Sequence, residues 1–163
     1  MADRISKENY YLDIAQTVAE RCTCLRRKFG AIIVKDDSII ATGYNGAPRG
    51  RVNCIDRGSC IREELKIPRG ERYELCRAVH AEANAIIAAP RDQMLGSTLY
   101  MACVNPKDGS LYAGTSSCMM CKRMIINAGI ETVVVRDTPE EFRVIRVQDW
   151  IADDDSLTGV FGY

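Results

Sequence analysis

The chain has 163 residues, in which 22 Lys and Arg are balanced by 22 Asp and Glu beside a single histidine. That length suffices for one domain with a real core, and an apolar share of 47% is ordinary for a globular protein. Zero net charge argues against the basic surface that holds long nucleic acid, and no apolar run approaches the roughly 20 residues that span a bilayer.

The first residues, MADRISKENYYLDIAQ, are charged and lack the apolar run of a signal peptide. A cytoplasmic protein is expected. Eight cysteines are then read as metal ligands or packing residues rather than as disulfides.

Tyr10, Leu12, Ile14, Ala15, Val18 and Ala19 recur at near-helical spacing within residues 6–23, and Ser6 can cap them. Gly30 to Val34 and Ile39 to Tyr44 read as strands joined in a hairpin by the turn Lys35-Asp36-Asp37-Ser38. Residues 45–79 are loop-like, with glycines, two prolines, many arginines and three cysteines; so long a polar segment is usually functional or stapled. Residues 81–89 form a helix stopped by Pro90, and Thr98 to Val104 form a strand. After the turn Asn105 to Gly109, Leu111 to Ala113 return as a short strand. Residues 118–128 form a helix ended by Gly129, and Glu131 to Arg136 another strand. Phe142 to Trp150 read as strand or helix, Asp153 to Asp155 as solvated surface, and the end as a mobile tail. This order predicts one domain over 1–163, its core roughly 6–136 and an extension at 137–163. Helices on both faces of a central sheet are expected.

Two short motifs carry the chemistry. His80-Ala81-Glu82 opens one predicted helix and Cys118-Met119-Met120-Cys121 opens another. Zinc takes nitrogen and thiolate ligands tetrahedrally, and catalytic sites leave the fourth position for water. Cys118 and Cys121 share one helix face, at an N-terminus whose dipole favours thiolates. At the other helix start His80 can ligate while Glu82 reaches the water. Taken alone, a CxxC pair is also compatible with redox chemistry, and a lone histidine with an ordinary polar site.

CRAVHAEANAI (76–86) with CMMCKRMIINAGIETVVV (118–135) resembles the pattern H-x-E…P-C-x-x-C of zinc nucleobase deaminases. GYNGAPRGRVNC (43–54) narrows the resemblance to the deoxycytidylate deaminase family, over roughly residues 8–136. It implies a three-layer α/β/α sandwich with a central mixed sheet, and hydrolysis of dCMP to dUMP and ammonia, supplying dUMP for dTMP synthesis. It implies Zn²⁺ held by His80, Cys118 and Cys121, a water activated for attack on C4 of cytosine, and Glu82 as the proton carrier rather than a ligand. Two departures stand beside it. Ser117 replaces the proline before the first cysteine, where a serine cap is an expected substitute. His80 and Cys118 lie 38 residues apart, longer than the family's usual spacing, and the extra length is assigned to VNPKDGSLYAG (104–114).

The resemblance further implies that Asn45 contacts the substrate, that Ala47 lies near it, and that the backbone of Ala81 meets the base. Arg26 and then Arg49 are the first choices for a 5′-phosphate, which Arg binds in a bidentate manner. Read without the family, Asn45-Gly46 is a turn pair and the arginines are solvated surface. Cys24, Cys54, Cys60 and Cys76 are candidates for a second, structural zinc, supported for Cys24 and Cys54 by family position; reduced packing thiols are the alternative. Cys22 and Cys103 read as packing residues. The family also implies a homo-oligomer such as a hexamer, activation by dCTP with Mg²⁺, and inhibition by dTTP near Gly43 to Gly46. The alternatives are another zinc deaminase of the superfamily, a zinc-stapled binding module without catalysis, and a CxxC redox protein.

Overall fold

The computed structural model describes residues 3–154. Its helices are α1 (Lys7–Ala19), α2 (Cys54–Arg57), α3 (Ile61–Glu64), α4 (Ala81–Ile87), α5 (Arg91–Met94), α6 (Met119–Ala128) and α7 (Val147–Ala152). Its strands are β1 (Lys28–Lys35), β2 (Ser38–Tyr44), β3 (Thr98–Val104), β4 (Thr132–Arg136) and β5 (Phe142–Arg146). They form one mixed sheet in the order β2-β1-β3-β4-β5, antiparallel throughout except for the parallel pair β3 and β4.

Alternation along the strands creates the layers. Ala31 and Ile33 of β1, Leu99 and Met101 of β3, and Val133 and Val135 of β4 turn to one face, against Ala81 and Ala85 of α4 and Ile125 and Ala128 of α6. Ile32, Val34, Tyr100 and Val134 turn to the other, against Tyr11, Leu12 and Ala15 of α1. The result is an α/β/α sandwich, as expected.

Local chemistry sets most of the boundaries. Ser6 Oγ accepts the Asn9 N–H at 3.2 Å and caps α1. The helix ends with the last periodic residue, Ala19, short of residue 23, because Glu20, Arg21 and Cys22 donate to carbonyls three residues back and tighten the chain. Asp36 and Asp37 both take positive φ, 48° and 60°, which matches the twist of a two-residue hairpin turn. Tyr11 donates to Asp37 at 2.6 Å and so ties that turn to α1. The segment expected as loop holds α2, α3 and a single 3-10 turn at Tyr73–Leu75. Leu111 returns as one bridge to Val104 rather than as a strand. The region 142–150 is strand and then helix. Asp153 and Asp154 are exposed; Asp155 and the expected mobile tail lie outside the described residues.

The register gathers the site at one end of the sheet. Lys28 pairs with Val104 and Gly30 with Tyr44, so β1 begins where β2 and β3 finish. Two glycines let the helices approach closely. A Cβ on Gly30 would lie 2.0 Å from the Ala15 carbonyl oxygen in α1, and one on Gly43 would lie 2.3 Å from the Ala81 oxygen and 2.4 Å from the Ala85 nitrogen in α4. These obstacles are backbone, so side-chain rotation cannot relieve them. Gly43→Ala is therefore expected to cost about 3 kcal/mol of stability through overpacking, seen as a lower urea midpoint at unchanged slope. A midpoint matching the parent would show that α4 is free to stand away from β2.

Candidate active site and metal centre

His80 is the N-cap residue of α4 and Cys118 that of α6. Each is fixed by the chain around it. Gly46 and Val79 exchange two backbone hydrogen bonds of 3.1 and 2.8 Å just before His80. Asn84, one turn into α4, donates to the Tyr44 carbonyl at 2.8 Å and locks the helix start to the end of β2. The Cys118 sulfur accepts the Cys121 N–H at 3.5 Å, and the Cys118 carbonyl accepts Lys122 N–H at 2.8 Å. The N-cap is thus Cys118 itself. Ser117, expected as a cap, is buried and turns its hydroxyl to the Met101 sulfur at 3.6 Å; the thiol already occupies the capping position.

His80 Nδ1 lies 3.4 Å from Cys118 Sγ and 3.5 Å from Cys121 Sγ. The three ligand atoms fall within 4.8 Å of one another. A tetrahedral zinc with nitrogen at about 2.05 Å and sulfur at about 2.3 Å would set an N···S separation of about 3.6 Å. The triad therefore fits the ion without rearrangement. Burial opposes charge on His80, yet hydrogen bonds to Cys118 and Cys76 and the charge of Glu82 outweigh it, pushing the imidazole up to about 11. The Cys121 thiol, backed by His80, draws Cys118 well below the usual thiol range, while Cys121, hydrogen-bonded to that thiolate and buried, is pushed up.

Glu82 is buried in the first turn of α4. Burial raises its pKa, against the opposing pull of His80 and of the Ser117 hydroxyl. A carboxyl raised out of the ordinary carboxylate range by burial is better matched to proton transfer than a solvated one. The Tyr73 ring meets His80 edge-on at 5.2 Å between centroids and closes one side.

One cavity opens onto His80, Glu82 and Cys118. Of the residues expected from sequence, Asn45 and Arg26 also line it. Asn45 is anchored at both ends of its amide: Oδ1 accepts the Phe29 N–H at 2.8 Å and Nδ2 donates to the Arg27 carbonyl at 3.0 Å. Arg26 forms an ion pair with Glu63 at 3.1 Å. Ala81 is buried against the sheet, and neither it nor half-buried Ala47 is in the cavity wall. Arg49 is exposed outside the cavity, on a turn closed by the Arg51 N–H to Pro48 carbonyl bond of 2.9 Å. Arg62, Tyr73 and Thr115 line the wall without having been singled out. Arg62 is buried, donates to the Arg72 and Pro68 carbonyls, and stacks on Tyr73. Only its place among arginines in a long polar segment hinted at this.

Cys24, Cys60 and Cys76 share that wall. Burial raises the Cys54 thiol, reinforced by the charges of Cys24, Cys76 and Cys60. Among the described residues these four do not form a second cluster as compact as the His80 triad. Cys22 and Cys103 are buried, as expected of packing residues.

The model of the cytidine and deoxycytidylate deaminase zinc-binding region matches residues 5–137. The chain belongs to this deaminase family. It is similar to deoxycytidylate deaminase of Schizosaccharomyces pombe, 34% identical over 131 residues that cover 80% of this chain and 37% of the yeast protein. It is 37% identical over 132 residues to the deoxycytidylate deaminase of Mycobacterium phage D29, covering 78% of this chain and 91% of the phage one. It thus spans well under half of the yeast relative and most of the phage one. Cyanophage S-TIM5 dCMP deaminase has the same fold: its apo crystal structure matches at TM-score 0.54 and 28% identity, covering 82% of this chain and 85% of the phage chain. Its complex with dCMP and dUMP matches at 0.52 and 27%, covering 82% and 84%. The family and the His80–Cys118–Cys121 cluster together support zinc at this centre.

Proposed function

We propose that this chain catalyses the zinc-dependent hydrolytic deamination of dCMP to dUMP and ammonia. The observation that carries the reading is the convergence of His80, Cys118 and Cys121, at two helix starts, beside buried Glu82 in one cavity. The related cyanophage enzyme is known in complex with dCMP and dUMP.

When bound by those three residues, zinc supplies the positive charge that makes a water acidic at neutral pH. Glu82 takes a proton from the attacking water and delivers it to N3 of cytosine. It then carries a proton to the amine departing from C4. Cytosine plus water gives uracil plus ammonia, with no net change in redox state. Asn45 serves this reading by fixing the chain at residues 27 and 29, which border the cavity.

A second, structural zinc on Cys24, Cys54, Cys60 and Cys76 belongs to the same reading. Its support is that Cys24, Cys76 and Cys60 all lie near enough to Cys54 to raise its thiol, and that Cys24 Sγ accepts the Arg26 N–H at 3.4 Å. It would staple a segment whose helices have only four residues each. Homo-oligomeric assembly, dCTP–Mg²⁺ and dTTP as effectors, and a cytoplasmic location complete the proposal. No helix among the described residues is long and apolar enough to cross a membrane.

Ammonia release measured with dCMP, CMP, deoxycytidine, cytidine, guanine and adenosine tests the substrate. dCMP is expected to give the highest kcat/KM. Faster turnover of guanine or adenosine would transfer the site to another deaminase class, and no release from any of them would favour a binding module.

A further inference from the structure

Four arginines line the cavity: Arg26, Arg27, Arg62 and Arg69. Arg26 is neutralised by Glu63, and Arg62 is committed to two backbone carbonyls. Arg69 is exposed. Arg27 differs from all three. Its carbonyl is held from two sides, by Asn45 Nδ2 at 3.0 Å and Cys22 Sγ at 3.5 Å. Its guanidinium has no carboxylate partner among the described residues, and lies 4.5 Å from the centroid of the Tyr112 ring.

Tyr112 comes from the segment that makes the approach to Cys118 long. Residues 105–110 close a turn through Asn105 N–H to the Ser110 carbonyl and Gly109 N–H to the Asn105 carbonyl, both 2.8 Å. The chain then bridges Val104 through Leu111, and the Tyr112 N–H bonds the Cys103 carbonyl at 2.9 Å. The added residues therefore extend the end of β3 and present one aromatic face to one cavity arginine.

We propose that Tyr112 is a positioning residue whose ring holds the Arg27 guanidinium in the cavity as the reader of a 5′-phosphate, so that the 105–114 segment sets the preference for nucleotides over nucleosides. The identity of the ligand rests on the deaminase reading; the contact between the two residues does not. A free arginine loses much rotational freedom on binding an anion. An aromatic face that already orders the guanidinium removes part of that loss and leaves its N–H edge free for two phosphate oxygens.

Calorimetric titration of the zinc-loaded protein with dUMP and with deoxyuridine tests this without turnover. The unaltered protein is expected to bind dUMP more tightly. Tyr112→Leu, which keeps apolar bulk but removes the ring, is expected to weaken dUMP about five- to tenfold, the size of one partly desolvated cation–π contact, and to move deoxyuridine less than twofold. Tyr112→Phe is expected to restore dUMP binding. Unchanged dUMP affinity in Tyr112→Leu, equal weakening of both ligands, or no dUMP preference in the unaltered protein would overturn the assignment. dCMP turnover by the unaltered protein is scored separately: a dUMP preference without turnover would reject the deaminase reading and leave the roles of Arg27 and Tyr112 standing.

Discussion

Glu82→Ala is expected to retain zinc and lose deamination of dCMP by about a thousandfold or more. Two arguments meet here. Glu82 lies outside the set His80, Cys118 and Cys121, whose spacing already matches a tetrahedral ion, so its removal leaves the ligands in place. It is also the buried carboxyl next to them, held at the start of α4 with its pKa raised by burial. General acid–base groups contribute roughly 10²–10⁴ to rate, and here one group serves several proton transfers. Zinc content by elemental analysis and ammonia release must be measured on the same sample. Full activity in the variant would remove Glu82 from the mechanism; loss of metal together with activity would make it a ligand.

Cys121→Ser is expected to have the opposite signature, losing metal and activity together. Cys121 is fully buried, and its sulfur faces His80 Nδ1 at 3.5 Å. A serine hydroxyl is smaller and a far weaker zinc ligand, and the loss of one of three protein ligands leaves a pair that cannot define the geometry. Activity should fall by at least about a thousandfold, since a catalytic metal acidifies its water by many pKa units. Counting zinc across variants also separates the two proposed sites. The unaltered protein should hold two ions per chain, Cys121→Ser one, and Cys54→Ser one. A single ion in the unaltered protein that Cys121→Ser abolishes would confine zinc to the His80 centre.

Much of the fold is legible in local chemistry. Ser6 marks a helix start because its oxygen meets an amide three residues on. The Asp36-Asp37 pair marks a hairpin because both residues tolerate positive φ. His80 and Cys118 are legible as site residues because each lies where a helix begins: there Glu82, two residues from His80, can reach the same point, and Cys121, three from Cys118, shares its face. The segment 45–79 is different. Helices of four residues show no periodicity and have no stability of their own; α2 and α3 exist because of what surrounds them. The burial of Arg62 depends on carbonyls at residues 68 and 72 and on the Tyr73 ring, none of which its neighbours announce. Asn45 shows the same limit. Its position at the cavity follows the motif, but its amide is taken up by the backbone at residues 27 and 29. Arg49, from the same motif, turns away on the Pro48 turn.

The length between His80 and Cys118 also finds a physical meaning only in three dimensions. In sequence it is an insertion beside the site. In the structure it prolongs β3 by one bridge and places Tyr112 on Arg27. Residues 114 and 115, which follow, are held from the far side of the sheet's end: Asp137 accepts the Gly114 N–H at 2.7 Å, and Arg143 donates to the Thr115 carbonyl and to Asp137. Cys118 is thus delivered to His80 by a segment fastened at both ends.

The rate of dUMP formation from dCMP, followed as the metal-free protein is reloaded with zinc, bears most directly on the assignment of this centre. The rate is predicted to rise with zinc content in the unaltered protein, to level off once the His80 site is filled, and to stay near zero in Glu82→Ala at every zinc content. A zinc-loaded protein that forms no dUMP, or a metal-free one that forms it at the same rate, would contradict the assignment.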